Sequence, residues 1–391
     1  MNNGWITCFL GEICDVTTGR RPNVKTNYPS NEMNIPVYGG NGIAWYTNEF
    51  LLNIDSPVIL TGRVGTLGTY FRVVGKCWVS DNALIIIPRT VDPDFLYYYM
   101  KMLPIESLNR GSTQPLLTQS DLKQIRLFIP KDIKEQKKIS NVLKILDAKI
   151  ELNTDINKNL EEQAQALFKS WFIDFEPFGG KRPEDWEQGC LLDIARYLNG
   201  LAMQKFRPTP NEENIPVLKI KELRQGFCDS NSDLCSANID SSYIVEDGDV
   251  IFSWSGSLLV DIWCGGRAGL NQHLFKVSSN KYDKWFYYSW TKYHLDHFIS
   301  VAADKATTMG HIKRNELEKA EVIIPSSIYL QKIGQIIAPM YDLIIKNRIE
   351  NSRLAALRDA LLPKLMSGEI DVSKVDISDP DYVEKLSFSG A

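Results

Sequence analysis

The stretch IRLFIPKDIKEQKKISNVLKILDAKIELNTDINKNLEEQAQALFKSWF, residues 125 to 172, decides the fold. It opens on a short β-type run, Ile125 to Ile129, stopped by Pro130, and then runs from Ile133 to Phe172 without a proline or glycine. Ile139, Leu143, Leu146, Ile150, Asn153, Asn157, Leu160, Ala164, Leu167 and Trp171 follow one another in steps that alternate four and three. That is the a/d seam of a heptad pattern, and at ~1.5 Å per residue it makes a helix of about 60 Å. No compact single core needs one so long, so it is expected to pair with another helix.

The same signals return 195 residues later. Leu122 has Leu317, IRLFIP has AEVIIP at Ala320 to Pro325, and Gln136-Lys137 has Gln331-Lys332. The second seam keeps the alternation through Leu330, Ile333, Ile337, Met340, Ile344, Asn347, Asn351, Leu354, Arg358, Leu361 and Leu365, with Arg358 the one charged intruder. Gly334 and Pro339 interrupt its start, and since proline removes an intrahelical hydrogen bond, a kink there or a helix beginning near Pro339 is expected. Asn153 and Asn157 stand at the same phase as Asn347 and Asn351. Asparagine on a seam costs stability and fixes register, so the two helices are expected to pair and align these layers.

The duplication reaches into the regions before each helix. Ile35-Pro36-Val37 pairs with Ile215-Pro216-Val217, Val58 to Thr61 with Val250 to Ser253, Asp81 to Leu84 with Asn271 to Leu274, and the aromatic run Phe95 to Tyr99 with Trp285 to Tyr288. Between these positions the halves diverge: Arg20-Arg21, Arg63, Arg110 and Gln114 face Ala202-Met203, Ser255, Lys305 and Met309. Short β-rich runs (Pro57 to Leu60, Lys76 to Ser80, Ala83 to Pro88) among Gly and Asn turns, with one aromatic helix at Phe95 to Leu103, read as an α+β domain. The chain therefore divides into α+β domain 1 (residues 1–131), a central helix (132–178), α+β domain 2 (179–327), a second helix (328–368) and a tail (369–391). Phe178 to Pro183 is the turn into the second domain, and Pro363 to Gly368 closes the second helix.

Composition narrows the class. At 391 residues and 44% hydrophobic the chain is globular, and the seven cysteines lack CxxC spacing, which argues for reduced thiols in a cytoplasm. Cys8, Cys14 and Cys77 are read as core residues. No apolar stretch approaches a membrane span, and the N-terminus lacks a signal peptide's pattern. The net charge of −4 is spread as +2 over 1–131, −2 over 132–178, −3 over 179–327 and −1 over 328–391, so the chain alone should bind DNA weakly or rely on a basic partner. Gly62, Gly65 and Gly68 are wrongly spaced for a dinucleotide site, Gly179-Gly180-Lys181 lacks the rest of a phosphate loop, and no methyltransferase motif, nuclease motif or metal-ligand set of His273, His294, His297 and His311 stands out. The chain reads as catalytically empty and metal-free.

Two divergent α+β domains alternating with two pairing helices, the IRLFIP/AEVIIP boundaries, LFKSWF at Leu167 to Phe172 and LLPKLMSGEIDV at Leu361 to Val372 resemble the specificity subunit of type I restriction-modification systems. The resemblance implies two target recognition domains, each reading one half of an asymmetric bipartite DNA sequence, on an antiparallel coiled coil that acts as a ruler across an unread spacer. It implies modification (methyltransferase) subunits as partners, two of them expected because the scaffold has two similar halves, and leaves open whether restriction subunits join them. S-adenosylmethionine, and ATP with Mg if a restriction subunit is present, would be bound by those partners and none by this chain.

Polar and basic loop residues are the candidates for DNA contact: Arg20, Arg21, Asn41, Arg63, Arg110, Ser112, Thr113 and Gln114 in the first domain, and Lys205, Lys219, Lys221, Ser253, Ser255, Lys305, Thr307, Thr308 and His311 in the second. Gly19 and Gly200 read as turn residues. Trp171, Phe172 and Phe175 are candidates for partner docking. The competing reading from another class is a non-catalytic protein-interaction scaffold of two adaptor domains on a coiled-coil spacer, which the acidic composition favours.

Overall fold

The computed structural model describes residues 4–64, 67–104, 116–304 and 312–372. Contacts divide the chain into two compact units, Met1–Ala148 with Leu354–Ala391, and Lys149–Arg353. In the first, β1 (Trp5–Phe9), the single turn α1 (Leu10–Ile13), β2 (Cys14–Thr18), β3 (Ile35–Gly39), β4 (Gly42–Thr47), β5 (Leu52–Gly62), β6 (Tyr70–Val79) and β7 (Ala83–Pro88) precede α2 (Pro93–Met102), α3 (Gln119–Lys123) and β8 (Arg126–Pro130). Six strands form one sheet in the order β2-β7-β5-β6-β3-β4, and β8 returns to pair antiparallel with β1.

Asp92 starts α2 by accepting from the Phe95 amide at 2.9 Å, with Pro93 preset for the first turn. The helix then buries Phe95, Leu96, Tyr98, Tyr99 and Met100. The first long helix, α4 (Ile133–Phe172), docks on it: Gln136 accepts from the Asp92 amide at 2.7 Å, Ser140 donates to the Asp92 carboxylate at 3.0 Å, and Tyr98 donates to Asp147 at 2.7 Å. Ile139, Val142, Leu143 and Leu146 join Leu361, Leu365 and Met366 in the core of this unit.

The second unit repeats the plan. It comprises β9 (Glu187–Cys190), α5 (Leu191–Ile194), β10 (Arg196–Asn199), β11 (Asn214–Leu218), α6 (Ile220–Gln225), β12 (Leu234–Ser236), β13 (Ile244–Val245), β14 (Val250–Ser253), β15 (Leu259–Ile262), β16 (Ala268–Leu270), β17 (Leu274–Ser278), α7 (Lys284–Tyr293), α8 (Leu295–Asp304), α9 (Arg314–Lys319), β18 (Glu321–Ile324) and the start of α10 (Ser327–Met366). Its strands form two four-stranded sheets, β10-β17-β14-β15 and β12-β11-β16-β13, with β18 pairing back to β9. Ala164, Phe168 and Phe172 of α4 and Ile333, Ile337, Tyr341 and Ile344 of α10 share its core with the aromatic face of α7.

The structure corrects several expectations. The second long helix begins at Ser327 and runs through Pro339, because Ile333 and Ile337 before the proline and Tyr341 after it are buried, and packing offsets a cost of about 3 kcal/mol. Gly334 lets this helix approach the Trp285 indole, where a Cβ would lie 3.1 Å from Nε1. Pro363 sits inside the helix, and Gly368, at φ +70°, follows its end. Strands β5 and β6 are longer than the apolar runs that announced them. Arg358, the intruder on the seam, meets Asp147 of α4 at 2.7 Å.

Candidate nucleic-acid interface

Both units use one backbone frame at their strand ends. In the first, Gly19 donates to the Ala83 carbonyl, Arg20 to Val79, Ser80 to Tyr38, Arg63 to Asn82 and Leu117 to Arg63. In the second, Gly200 donates to Leu274, Leu201 to Leu270, Asn271 to Leu218, Trp254 to His273 and Ile312 to Trp254. Position for position, these are the same bonds. They shift four of the sequence pairings by one residue: Ala83 corresponds to Leu274, Arg20-Arg21 to Leu201-Ala202, residues 58–61 to residues 249–252, and Arg63 to Trp254 rather than Ser255. Gly19 and Gly200 are obligatory for the frame, since a Cβ would sit 2.1 Å from the Val79 carbonyl oxygen in one and 2.2 Å from that of Asn271 in the other.

Around this frame the first unit forms two adjoining clefts of about 490 and 290 Å³ that share Trp45, Ser80 and Asn82. Asn41 lines one, and Arg21 and Lys25 line the other. Lys25, which sequence reasoning missed, holds its ammonium 3.5 Å from the Trp45 ring centre. Arg20 lies 5.2 Å over Trp78, whose indole N–H donates to the Arg20 carbonyl, and Arg21 pairs with Asp81 at 2.8 Å. Arg63 is half-buried beside Asn82, at the edge of the clefts. Arg110, Ser112, Thr113 and Gln114 lie outside the described residues.

The corresponding cleft of the second unit, about 330 Å³, is lined by Gln204, Arg207, Lys219, Asp233 and Asn271. Lys219 pairs with Asp233, and Lys221 with Asp229 at 3.2 Å, while Lys205 is exposed on a short turn. Ser253 and Ser255 are corrections. Ser253 is fully buried and donates to the Ser257 carbonyl at 2.9 Å, and Ser255 is buried against His273 Nδ1 at 2.9 Å, so both hydroxyls serve the loop. Trp254, His273, Gln204 and Arg207 were missed. Arg207 carried a signal as a basic residue in a Pro-rich loop, whereas Trp254 and His273 become visible only through strand register. Lys305, Thr307, Thr308 and His311 lie outside the described residues. Among the described residues no cluster of His, Cys, Asp and Glu could hold a metal ion, and no helix is long and apolar enough to cross a membrane.

The asparagines of the seam meet in the second unit. Asn347 donates to the Asn157 side-chain oxygen at 2.9 Å, Asn153 to that of Asn351 at 2.9 Å and to Glu350 at 2.8 Å, and Asn351 to the Ile150 carbonyl at 3.2 Å. Pairing of 153 with 351 and of 157 with 347 makes the two helix segments antiparallel there. Of the docking candidates, Phe172 is a correction. It is 1% exposed, packed among Trp186, Trp285 and Trp290, and has no surface to offer a partner. Trp171 and Phe175 are half-buried, ringed by Phe178, Lys332 and Trp186.

Comparison with known proteins fits this duplicated design. The model of the type I restriction modification DNA specificity domain matches residues 2–162 and 183–357. The type I restriction enzyme MjaIX specificity subunit of Methanocaldococcus jannaschii is 29% identical, over 95% of this chain and 94% of that protein. The HindI specificity subunit of Haemophilus influenzae is 25% identical, over 95% and 92%. The crystal structure of the S subunit of a type I restriction-modification system from M. genitalium shares the fold, with a TM-score of 0.62 at 17% identity over 93% of this chain and 97% of that one. The chain belongs to the type I restriction-modification DNA specificity family.

Proposed function

We propose that the chain directs a type I restriction-modification complex to an asymmetric bipartite DNA target, each α+β unit reading one half-site and the bases between going unread. The observation that carries this is one backbone frame used twice with different side chains on and beside it: Arg20, Arg21 and Arg63 in one unit, Leu201, Ala202 and Trp254 in the other. Identical frames present loops to DNA in the same way, and unlike side chains make the two half-sites differ. The paired helices hold the register between the units and act as the ruler for the spacer.

Catalysis belongs to separate subunits in this reading, and the chain itself is non-catalytic. Two modification subunits bring S-adenosylmethionine, and restriction subunits, where present, bring ATP and Mg. Trp171 and Phe175 remain the candidates for docking them. The complex works in the cytoplasm, where its seven thiols stay reduced. With a net charge of −4 the chain relies on its partners for much of the phosphate neutralisation, so its specific affinity is a property of the assembly. The test is long-read methylation mapping in cells that express the chain with its modification partner. A split motif with unlike halves and a degenerate spacer is expected. A contiguous or palindromic motif would overturn the reading, and no sequence-specific methylation would return the chain to the scaffold class.

A further inference from the structure

Three arginines are half-buried among the described residues: Arg63, Arg348 and Arg358. Arg348 pairs with Asp261 and Arg358 with Asp147, each at close hydrogen-bond distance. Arg63 has no ion pair and no side-chain hydrogen bond among the described residues. A guanidinium carries five donors, so a half-buried one with no acceptor among the described residues has all of them to offer a ligand.

The place of Arg63 says which ligand. Its amide donates to the carbonyl of Asn82, whose residue lines both clefts, and its carbonyl accepts from Leu117, so the backbone is clamped on both sides. The side chain is thereby set from a fixed point at the edge of the reading surface. A pre-positioned fork suits two acceptors in one plane, and at the edge of a reading surface a base edge can supply them. In duplex DNA that pair is O6 and N7 of guanine in the major groove.

The second unit supplies the contrast. At the position of Arg63 it carries Trp254, whose indole N–H donates to Asn199 at 2.9 Å and whose ring lies 6.0 Å from that of His273. An indole has one donor, and Asn199 takes it here. We infer that Arg63 is a specificity-determining residue that reads a guanine in the half-site of the first unit, and that no guanine is read from the equivalent position of the second. This rests on the proposed function and adds one base to it.

The experiment uses the full chain with its modification partner, as wild type, Arg63→Ala and Arg63→Lys, read by methylation mapping and by binding of the complex to duplexes substituted at each guanine of the motif. In the wild type one guanine of one half-site should be required. In Arg63→Ala that position should become degenerate, with discrimination there falling roughly 5- to 150-fold, while the other half-site stays intact. Retained discrimination at that guanine in Arg63→Ala would overturn the inference, and lysine, which reaches the same acceptors without the fork, should restore part of it. Uniform weakening on all sequences, with a shallower salt slope, would make Arg63 a phosphate contact and overturn it equally. Loss of assembly in both variants, seen as an absent complex and a lowered melting temperature, would make its role structural. If the wild-type complex methylated no bipartite motif, the proposed function would fail instead.

Discussion

The two units share a frame and little else, and the contrast separates what the fold requires from what recognition can vary. The shared part is backbone: a two-stranded pair closing on the start of a long helix, β3 or β11 running parallel to β6 or β16, and a glycine pressed against the turn that follows. Even the fastening of the domain to the central helix is kept while its charges are exchanged. In the first unit Lys144 of α4 holds Asp94 of α2, and in the second Glu161 of α4 is held by Lys292 of α7. Geometry is retained, and the side chains that supply it are free to change as long as they change together.

The shared glycines are where the comparison breaks most sharply. Gly19→Ala and Gly200→Ala each drive a Cβ into a carbonyl oxygen that belongs to a strand end and cannot yield. Each should lower stability by about 3 kcal/mol in denaturant unfolding. Each should also abolish recognition of one half-site and spare the other. Equal loss at both half-sites from either substitution would show that the units are not independent.

The asparagine layer sharpens the comparison next, since it lies in the second unit and has no counterpart in the pairing of Asp147 with Arg358 in the first. Asn157→Ala strands the Asn347 amide in a buried site and should cost roughly 1–3 kcal/mol. Leucine at both 157 and 347 should recover that loss, because an apolar pair has nothing left unsatisfied. The double variant should then tolerate more than one spacer length in methylation mapping, because the polar layer sets register. A single sharp spacer would show that the register is held elsewhere.

The smallest effect concerns the exchanged charges. Burial pushes the Asp94 carboxyl up, but hydrogen bonds and charge from Arg72 and Lys144 outweigh it and hold it below its ordinary value. Glu161 behaves likewise, with burial outweighed by Lys292, Arg348 and Tyr288. A depressed carboxyl contributes stability that is present above its unfolded value, 3.8 or 4.5, and is lost as pH falls through the folded one. Asp94→Asn and Glu161→Gln should each cost about 1 kcal/mol at neutral pH and progressively less as pH falls below 3.8 and 4.5 respectively, as followed by thermal melting. A cost independent of pH would mean that these carboxylates act through packing.

Much of this is legible in the sequence. The repeat, the seams and the asparagine phases rest on periodicity, which survives divergence because each helix must bury one stripe. Strand phase was not legible. Val58 to Thr61 and Val250 to Ser253 are nearly apolar throughout, as strands buried on both faces are, so no alternation marks which residue opposes which. A slip of one residue followed, enough to set Arg63 against Ser255 instead of Trp254. The burial of Phe172 was hidden for a related reason: an aromatic at a helix end reads the same whether it finishes a core or greets a partner.

The central claim is that each unit reads its own half-site, and a domain exchange tests it most directly. Residues 179–327 would be replaced by the corresponding domain of a family member with a different target, and the methylated motif mapped in cells with the same modification partner. One half of the motif should change to that of the donor while the other half keeps every base. Alteration of both halves in a stable, active complex would contradict the account.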